Sequence, residues 1–155
     1  MQISNVNPAF ELSTLEAIQR FIFGGNAIFS LANNDKGTHF TYKVTCKKQP
    51  GRTVYFVSVL SGPNNMSDYS YIGYCTSDKA VQIWTKKEAT QYTDNAPSVQ
   101  AFNWLLNRIS YCLAYKKPFP AFASFYHVGN CCKCNRPLTD PVSVQLGIGP
   151  ICRAA

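Results

Sequence analysis

Residues 38–60 read THFTYKVTCKKQPGRTVYFVSVL, and this stretch decides the predicted fold. Over residues 39–46 apolar and polar side chains alternate, which is typical of a strand with one buried face. Gln49-Pro50-Gly51 is a turn sequence, and a second apolar run follows from Thr53 to Leu60. Two such runs joined by a short turn predict an antiparallel hairpin.

Turn-rich segments lie on both sides of this hairpin, at residues 33–37 and 62–65. Beyond them, three more short apolar segments end at turn formers, and each predicts a strand. They are residues 27–32, 69–75 and 80–85. Consecutive strands joined by brief turns favour an antiparallel meander of four to five strands.

Two segments carry helical periodicity. Ser13 and Glu16 form a capping-box pattern, which predicts a short amphipathic helix over residues 13–23. A longer apolar stripe runs from Val99 to Leu113 and predicts one long helix that packs on the sheet and stops before Pro118. We therefore expect an α+β core domain over residues 1–118, with a tail over residues 119–155 packed on or appended to it. Residues 118–126 are expected to be a stiff aromatic connector that leads into the tail.

The tail holds four potential zinc ligands, His127, Cys131, Cys134 and Cys152. A C-x2-C pair bends the chain so that two sulfurs reach one ion, and structural zinc takes four such ligands. Between them, Asp140 and Gly147 are expected to begin and end a short helix that returns the chain to the ion. Two alternatives stay open: Cys132 replaces His127 as the fourth ligand, or the cysteines are free core thiols.

The other three cysteines, Cys46, Cys75 and Cys112, lie on predicted strands or on the long helix, where they are expected to be ordinary core residues. The N-terminus has no signal-peptide pattern, and no apolar run reaches the length of a membrane span. We therefore expect a cytoplasmic protein with reduced thiols, in the host cytoplasm if the protein is viral, and no membrane partner.

The tail pattern C-x2-C-x-R-x-L-T-x-P-x-S, followed by G-I-G-P-x-C, resembles a zinc-ribbon-like family of unknown function found in phage and bacterial genomes. The matching residues begin at Cys131 and end at Cys152, and shorter upstream pieces such as residues 56–63 are similar to its longer phage members. Cys132 departs from the family, which has small residues there. The resemblance implies a zinc-bound tail and no particular activity.

Function is predicted from charge and from the absence of catalytic patterns in the sequence. Four protein ligands would close a zinc site, and no nucleophile–base pair or small-molecule substrate site is evident, so we expect no enzyme. The net charge of +7 favours a polyanionic partner, so nucleic-acid binding is the leading hypothesis. The expected contacts are basic residues beside aromatic ones such as Tyr55, Tyr69 and Tyr71: Lys43, Lys47, Lys48, Arg52, Lys133, Arg136 and Arg153. The alternative is a phage-encoded inhibitor or adaptor that binds a host or viral protein in an anti-defence or host-takeover role.

Overall fold

The computed structural model describes residues 7–154. Within them the chain forms an α+β fold with a six-stranded antiparallel sheet and four α-helices, which confirms the predicted class. A short 3-10 turn, Pro8–Phe10, comes first. The elements then follow in the order β1 (Glu11–Leu12), α1 (Leu15–Ile22), β2 (Asn26–Asn33), β3 (Thr38–Gln49), β4 (Arg52–Leu60), β5 (Tyr69–Thr76), α2 (Pro97–Tyr115), β6 (Ala123–His127), α3 (Pro141–Leu146) and α4 (Pro150–Ala154).

The strands are ordered β1-β6-β2-β3-β4-β5, so β2 to β5 form the predicted meander. Residues 80–85, predicted as a fifth strand, contribute a single bridge between Trp84 and Tyr74. The amide of Ile83 donates to the side-chain oxygen of Asn103 on α2, at 2.7 Å, which ties this segment to the helix. This segment follows the edge of the sheet without extending it.

Strand β6 occupies the segment predicted to be a connector. It lies between β1 and β2, and its Phe125 is fully buried, with its ring stacked on Phe29 at 4.5 Å. Pro118 and Pro120 precede it, and proline is unfavourable inside a strand, which hides the strand signal in the sequence. The predicted tail therefore begins inside the sheet.

Helices α1 and α2 pack on the same face of the sheet. Phe21 of α1 and Phe102 of α2 both contact Phe29 of β2, and the buried hydroxyl of Tyr42 donates a 2.6 Å hydrogen bond to the carbonyl of Ser98. Burial raises the pKa of Tyr42 far above its usual value, so this hydroxyl stays a donor. Neither α1 nor α2 covers the opposite face of the sheet.

The helix ends differ by a residue or two from the sequence expectation. Thr14, not Ser13, caps α1 by accepting a hydrogen bond from the amide of Ala17. Helix α2 starts at Pro97, a residue suited to a first turn because it has no N–H to leave unpaired. No helix among the described residues is long and apolar enough to cross a membrane.

Candidate metal centre

The tail brings together the sulfur atoms of Cys131, Cys134 and Cys152, which all lie within 4.8 Å of one another. A tight turn of the backbone places the thiols of Cys131 and Cys134 close together. The amide of Asn135 donates to the carbonyl of Cys131 at 2.9 Å, and the amide of Cys131 donates to the carbonyl of Arg136 at 2.8 Å. Asn135 has a positive φ of 63°, a conformation that asparagine tolerates better than most residues. This is the bend expected of a C-x2-C pair.

Helices α3 and α4 deliver the third thiol. Asp140 caps α3 by accepting a 3.0 Å hydrogen bond from the amide of Ser143, and Gly147 ends it with a φ of 73°. The sequence predictions for both ends of this helix are confirmed. The chain then enters α4, which carries Cys152, while the amide of Gly149 donates to the sulfur of Cys131 at 3.4 Å.

Backbone amides lower the pKa of the Cys131 thiol. Burial raises its pKa, but hydrogen bonds from the backbone of Cys134, Gly149 and Lys133 outweigh burial and lower the pKa to about 7. Cys152 has its pKa raised to about 11, chiefly by a hydrogen bond with Cys134. Metal ions bind cysteine as the thiolate. A metal ion bound here would therefore displace the thiol protons of these three cysteines.

His127 lies outside this group. Its ring is 3% exposed and is stacked between Phe10, at 4.7 Å, and Phe21, at 5.5 Å. One ring nitrogen, Nε2, donates to the carbonyl of Val144 at 2.7 Å, and Nδ1 accepts from the amide of Gly129 at 2.9 Å. Both potential metal-binding nitrogens are therefore used by the backbone, and the structure does not bring His127 to the three sulfurs as the sequence predicted.

The buried imidazole has a consequence for pH. Burial lowers the pKa of His127, which the hydrogen bond to Val144 only partly offsets. Because the unfolded chain then binds the proton more readily, the stability due to neutral His127 is present above about pH 6.5 and is lost as the pH falls through the folded-state pKa.

With chelator present, so that metal release does not contribute, the free energy of unfolding should fall between pH 7 and pH 5. His127→Gln should be less stable at pH 7 but should lose less over this range. Equal losses in both proteins would contradict the assignment.

Cys132, the alternative fourth ligand, points into the core. Its side chain is 1% exposed and packs under Gly24, where an added Cβ would lie 2.6 Å from the sulfur. Burial raises its pKa to about 12, so it stays a neutral thiol. Its backbone joins the tail to the sheet, because the amide of Asn26 donates to its carbonyl at 2.7 Å.

The predicted nucleic-acid contacts divide among three places. Lys43, Lys47 and Arg52 lie on the sheet face opposite α1 and α2. Lys48 and Lys133 line one cavity, and the remaining two, Arg136 and Arg153, lie at the metal centre. The guanidinium of Arg153 donates to the hydroxyl of Ser143 at 3.0 Å and to the carbonyl of Ile148 at 2.9 Å, so part of its role is structural.

Tyr55, one of the aromatic residues expected beside the basic contacts, does not lie beside Lys43. Register places Lys43 opposite Ser58 and Tyr55 opposite Cys46, so the two side chains lie on different faces of the sheet. Lys43 instead lies over the ring of Tyr69, with its ammonium 5.8 Å from the ring centre. Tyr55 packs edge-on against Phe23 on the helix-covered face.

Two aromatic residues near Lys43, Phe56 and Tyr74, were not predicted as contacts from the sequence. Register puts Tyr71 opposite Ser58 and Tyr74 opposite Phe56, so Phe56 and Tyr74 lie on the same face as Lys43. An irregularity in the register between Val57 and Ser58 interrupts the simple alternation along β5. Side chains alternate between the two faces of a strand, so the alternation along β4 is the sequence signal that would have placed Phe56 on the face opposite Tyr55.

Comparison with known proteins gives one match. A family of unknown function, DUF6011, matches residues 121–155, which contain β6, the three clustered cysteines and Cys132. No curated protein and no solved structure matches the chain. The tail that holds the candidate metal centre is thus similar to a family without an assigned function.

Proposed function

We propose that the chain is a small zinc-binding protein that binds single-stranded nucleic acid on its open sheet face and has no enzymatic activity. The open sheet face is the face of β3, β4 and β5 that lies opposite α1 and α2. Its basic and aromatic members are Lys43, Lys47, Arg52, Phe56, Tyr69, Tyr71 and Tyr74. This face is the observation that carries the proposal.

Zinc suits the candidate metal centre because its donors are sulfurs only. Thiolates select zinc, copper(I) or iron–sulfur clusters over calcium and magnesium, and tetrahedral zinc with three or four sulfurs is a common structural site. The ion would join the turn at Cys131 and Cys134 to α4, two segments with little buried apolar surface of their own. We propose that its role is to stabilise the tail, in keeping with a binding protein.

Aromatic and basic side chains lie close together on the open sheet face. Lys43, Ser58 and Tyr71 lie side by side across three strands, and the next row toward Lys47 consists of Thr45, Phe56 and Tyr74. The three aromatic rings are partly exposed. Single-stranded nucleic acids bind to such surfaces by stacking bases on aromatic rings while cations contact the phosphates.

Charge on this face is of one sign. Strands β2 to β5 contain no aspartate or glutamate, and three of their four lysines and arginines lie on this face: Lys43, Lys47 and Arg52. A fourth cation, Lys86, extends over the ring of Tyr74, with its ammonium 5.7 Å from the ring centre. These cations therefore attract a polyanion to this face. One acidic side chain, Asp78, lies near Arg52 at the margin of the face.

Binding is tested with a fluorescently labelled single-stranded oligonucleotide of mixed sequence, using anisotropy at low salt. Lys43→Glu combined with Lys47→Glu should weaken binding about tenfold or more, since two phosphate contacts become repulsive, and should reduce the dependence on salt. Tyr71→Ala should weaken binding by removing a stacking surface worth about 1–3 kcal/mol per base.

The matched control makes the same change in net charge at a different place on the surface. Lys116→Glu combined with Lys117→Glu alters two exposed lysines at the end of α2, away from the open sheet face, and should leave affinity nearly unchanged. Equal losses in the two double variants would mean that only net charge attracts the oligonucleotide. No measurable binding by the native protein at low salt would refute the nucleic-acid proposal.

A second candidate is binding to another protein, as an inhibitor or adaptor. It is favoured by an aromatic surface on α2, where Tyr111 and Tyr115 are 45% and 66% exposed and Arg108 lies over Tyr111. Tyrosine and arginine are enriched at protein interfaces. A stoichiometric partner recovered after nuclease treatment, and lost in Tyr111→Ala with Tyr115→Ala, would support this second function.

A further inference from the structure

We propose that the metal centre has three protein ligands and takes its fourth, a thiolate, from outside the chain. This inference rests on the proposed metal site and goes further by assigning a ligand to it. Structural zinc sites are closed by four protein ligands, whereas sites with three protein ligands keep a position for an incoming group. The structure supports the second arrangement.

Three other potential ligands near the site are already engaged elsewhere. His127 uses both ring nitrogens on backbone groups, and the Cys132 side chain is buried in the core beneath Gly24. Asp140 lies beside the site, but one carboxylate oxygen accepts the hydrogen bond that caps α3. Among residues 7–154, the group of ligand atoms close enough to share an ion with Cys131 consists of Cys134 and Cys152 alone.

The three sulfurs belong to the wall of a cavity of about 400 Å³. Cys131 is 1% exposed, but Cys134 is exposed and Cys152 is partly so, which leaves the site reachable from solvent. Leu138 and Ile151 also line the cavity, and Ile151 is 78% exposed. A small ligand with a sulfur at one end and carbon atoms behind it matches this combination of donors and apolar wall.

Nearby cations can offset the negative charge of a fourth thiolate. Three thiolates around a divalent cation leave one negative charge, and a fourth thiolate adds another. Arg136 lines the cavity, and Arg153 donates to Ser143 in its wall, against the single carboxylate of Asp140. The incoming thiol releases its proton to solvent as its sulfur binds, so no oxidant or reductant is needed.

The test uses the full chain loaded with cobalt(II), whose visible and near-ultraviolet absorption reports the number of sulfur ligands. Titration with 2-mercaptoethanol should saturate, shift the visible bands and raise the sulfur-to-cobalt charge-transfer absorbance by about one third, as a fourth thiolate joins three. Ethylene glycol, the same molecule with oxygen in place of sulfur, should leave the spectrum unchanged.

A Gly-Cys-Gly peptide tests the source of the thiol. If the peptide also binds, the natural source can be a protein cysteine, and if only the small thiol binds, the source is a free thiol.

Three variants separate this inference from its rivals. His127→Gln, Cys132→Ser and Asp140→Asn should each keep the native cobalt spectrum and its response to thiol. A native spectrum that does not respond to thiol, or that changes in any of these variants before thiol is added, would overturn the inference, because the chain itself would then supply the fourth ligand. Failure of the native protein to take up cobalt or zinc at all would instead refute the metal site on which the inference rests.

Discussion

Cys134→Ser is expected to reduce bound zinc from about one ion per chain to near zero and to loosen the tail. Cys134 is one of only three clustered sulfurs among the described residues, and it is the exposed one, so its loss leaves two ligands and an open side. Because metal-binding free energy is contributed to the folded state alone, the variant should lose the extra stability that zinc gives. Elemental analysis measures the metal, and hydrogen exchange of the amides of residues 128–154 measures the loosening.

Three other substitutions serve as controls for this experiment. Cys46→Ser removes a thiol from β3 that lies outside the cluster, and it should keep about one zinc ion per chain. Cys132→Ser should also keep its zinc, at some cost in core packing, and His127→Gln should do the same. If His127→Gln empties the site, the histidine is the fourth ligand, as the sequence predicted, and the imidazole must turn away from Val144 when the metal binds.

Phe29→Ala is expected to lower the free energy of unfolding by about 3–5 kcal/mol. The side chain is fully buried at the centre of the sheet, where its ring contacts Phe21 of α1, Phe102 of α2 and Phe125 of β6. Truncation leaves a cavity at the point where both helices and the tail strand meet. Urea denaturation measures the loss from the shift in its midpoint.

Phe56→Ala is the matched control, because it removes the same side chain from the open sheet face of β4, two strands away from β2. It should cost about 1–2 kcal/mol, less than Phe29→Ala, since the ring is partly exposed, and it should weaken oligonucleotide binding. Phe29→Ala should keep about one zinc ion per chain wherever it remains folded, opposite to the effect of Cys134→Ser. Equal destabilisation by both phenylalanine variants would mean that the open sheet face is a second core.

Much of the fold follows from local patterns in the chain. The alternation through residues 39–46 and the turn at Pro50-Gly51 predict the central hairpin, and the helical stripe after Pro97 predicts α2. The capped helix from Asp140 to Gly147 is equally local, because Asp140 accepts from an amide three residues away. Such features are predictable since period, caps and turn residues act over a few positions.

Strand β6 and the number of metal ligands depend on distant partners. Phe125 becomes a strand residue because β2 and β1 lie on its two sides, about a hundred residues away in the chain. The sequence by itself predicted that three cysteines and a histidine near the C-terminus share one ion. Only the tertiary structure shows the three sulfurs clustered without the histidine, because burial between Phe10 and Phe21, with a backbone partner for each ring nitrogen, satisfies the imidazole without a metal.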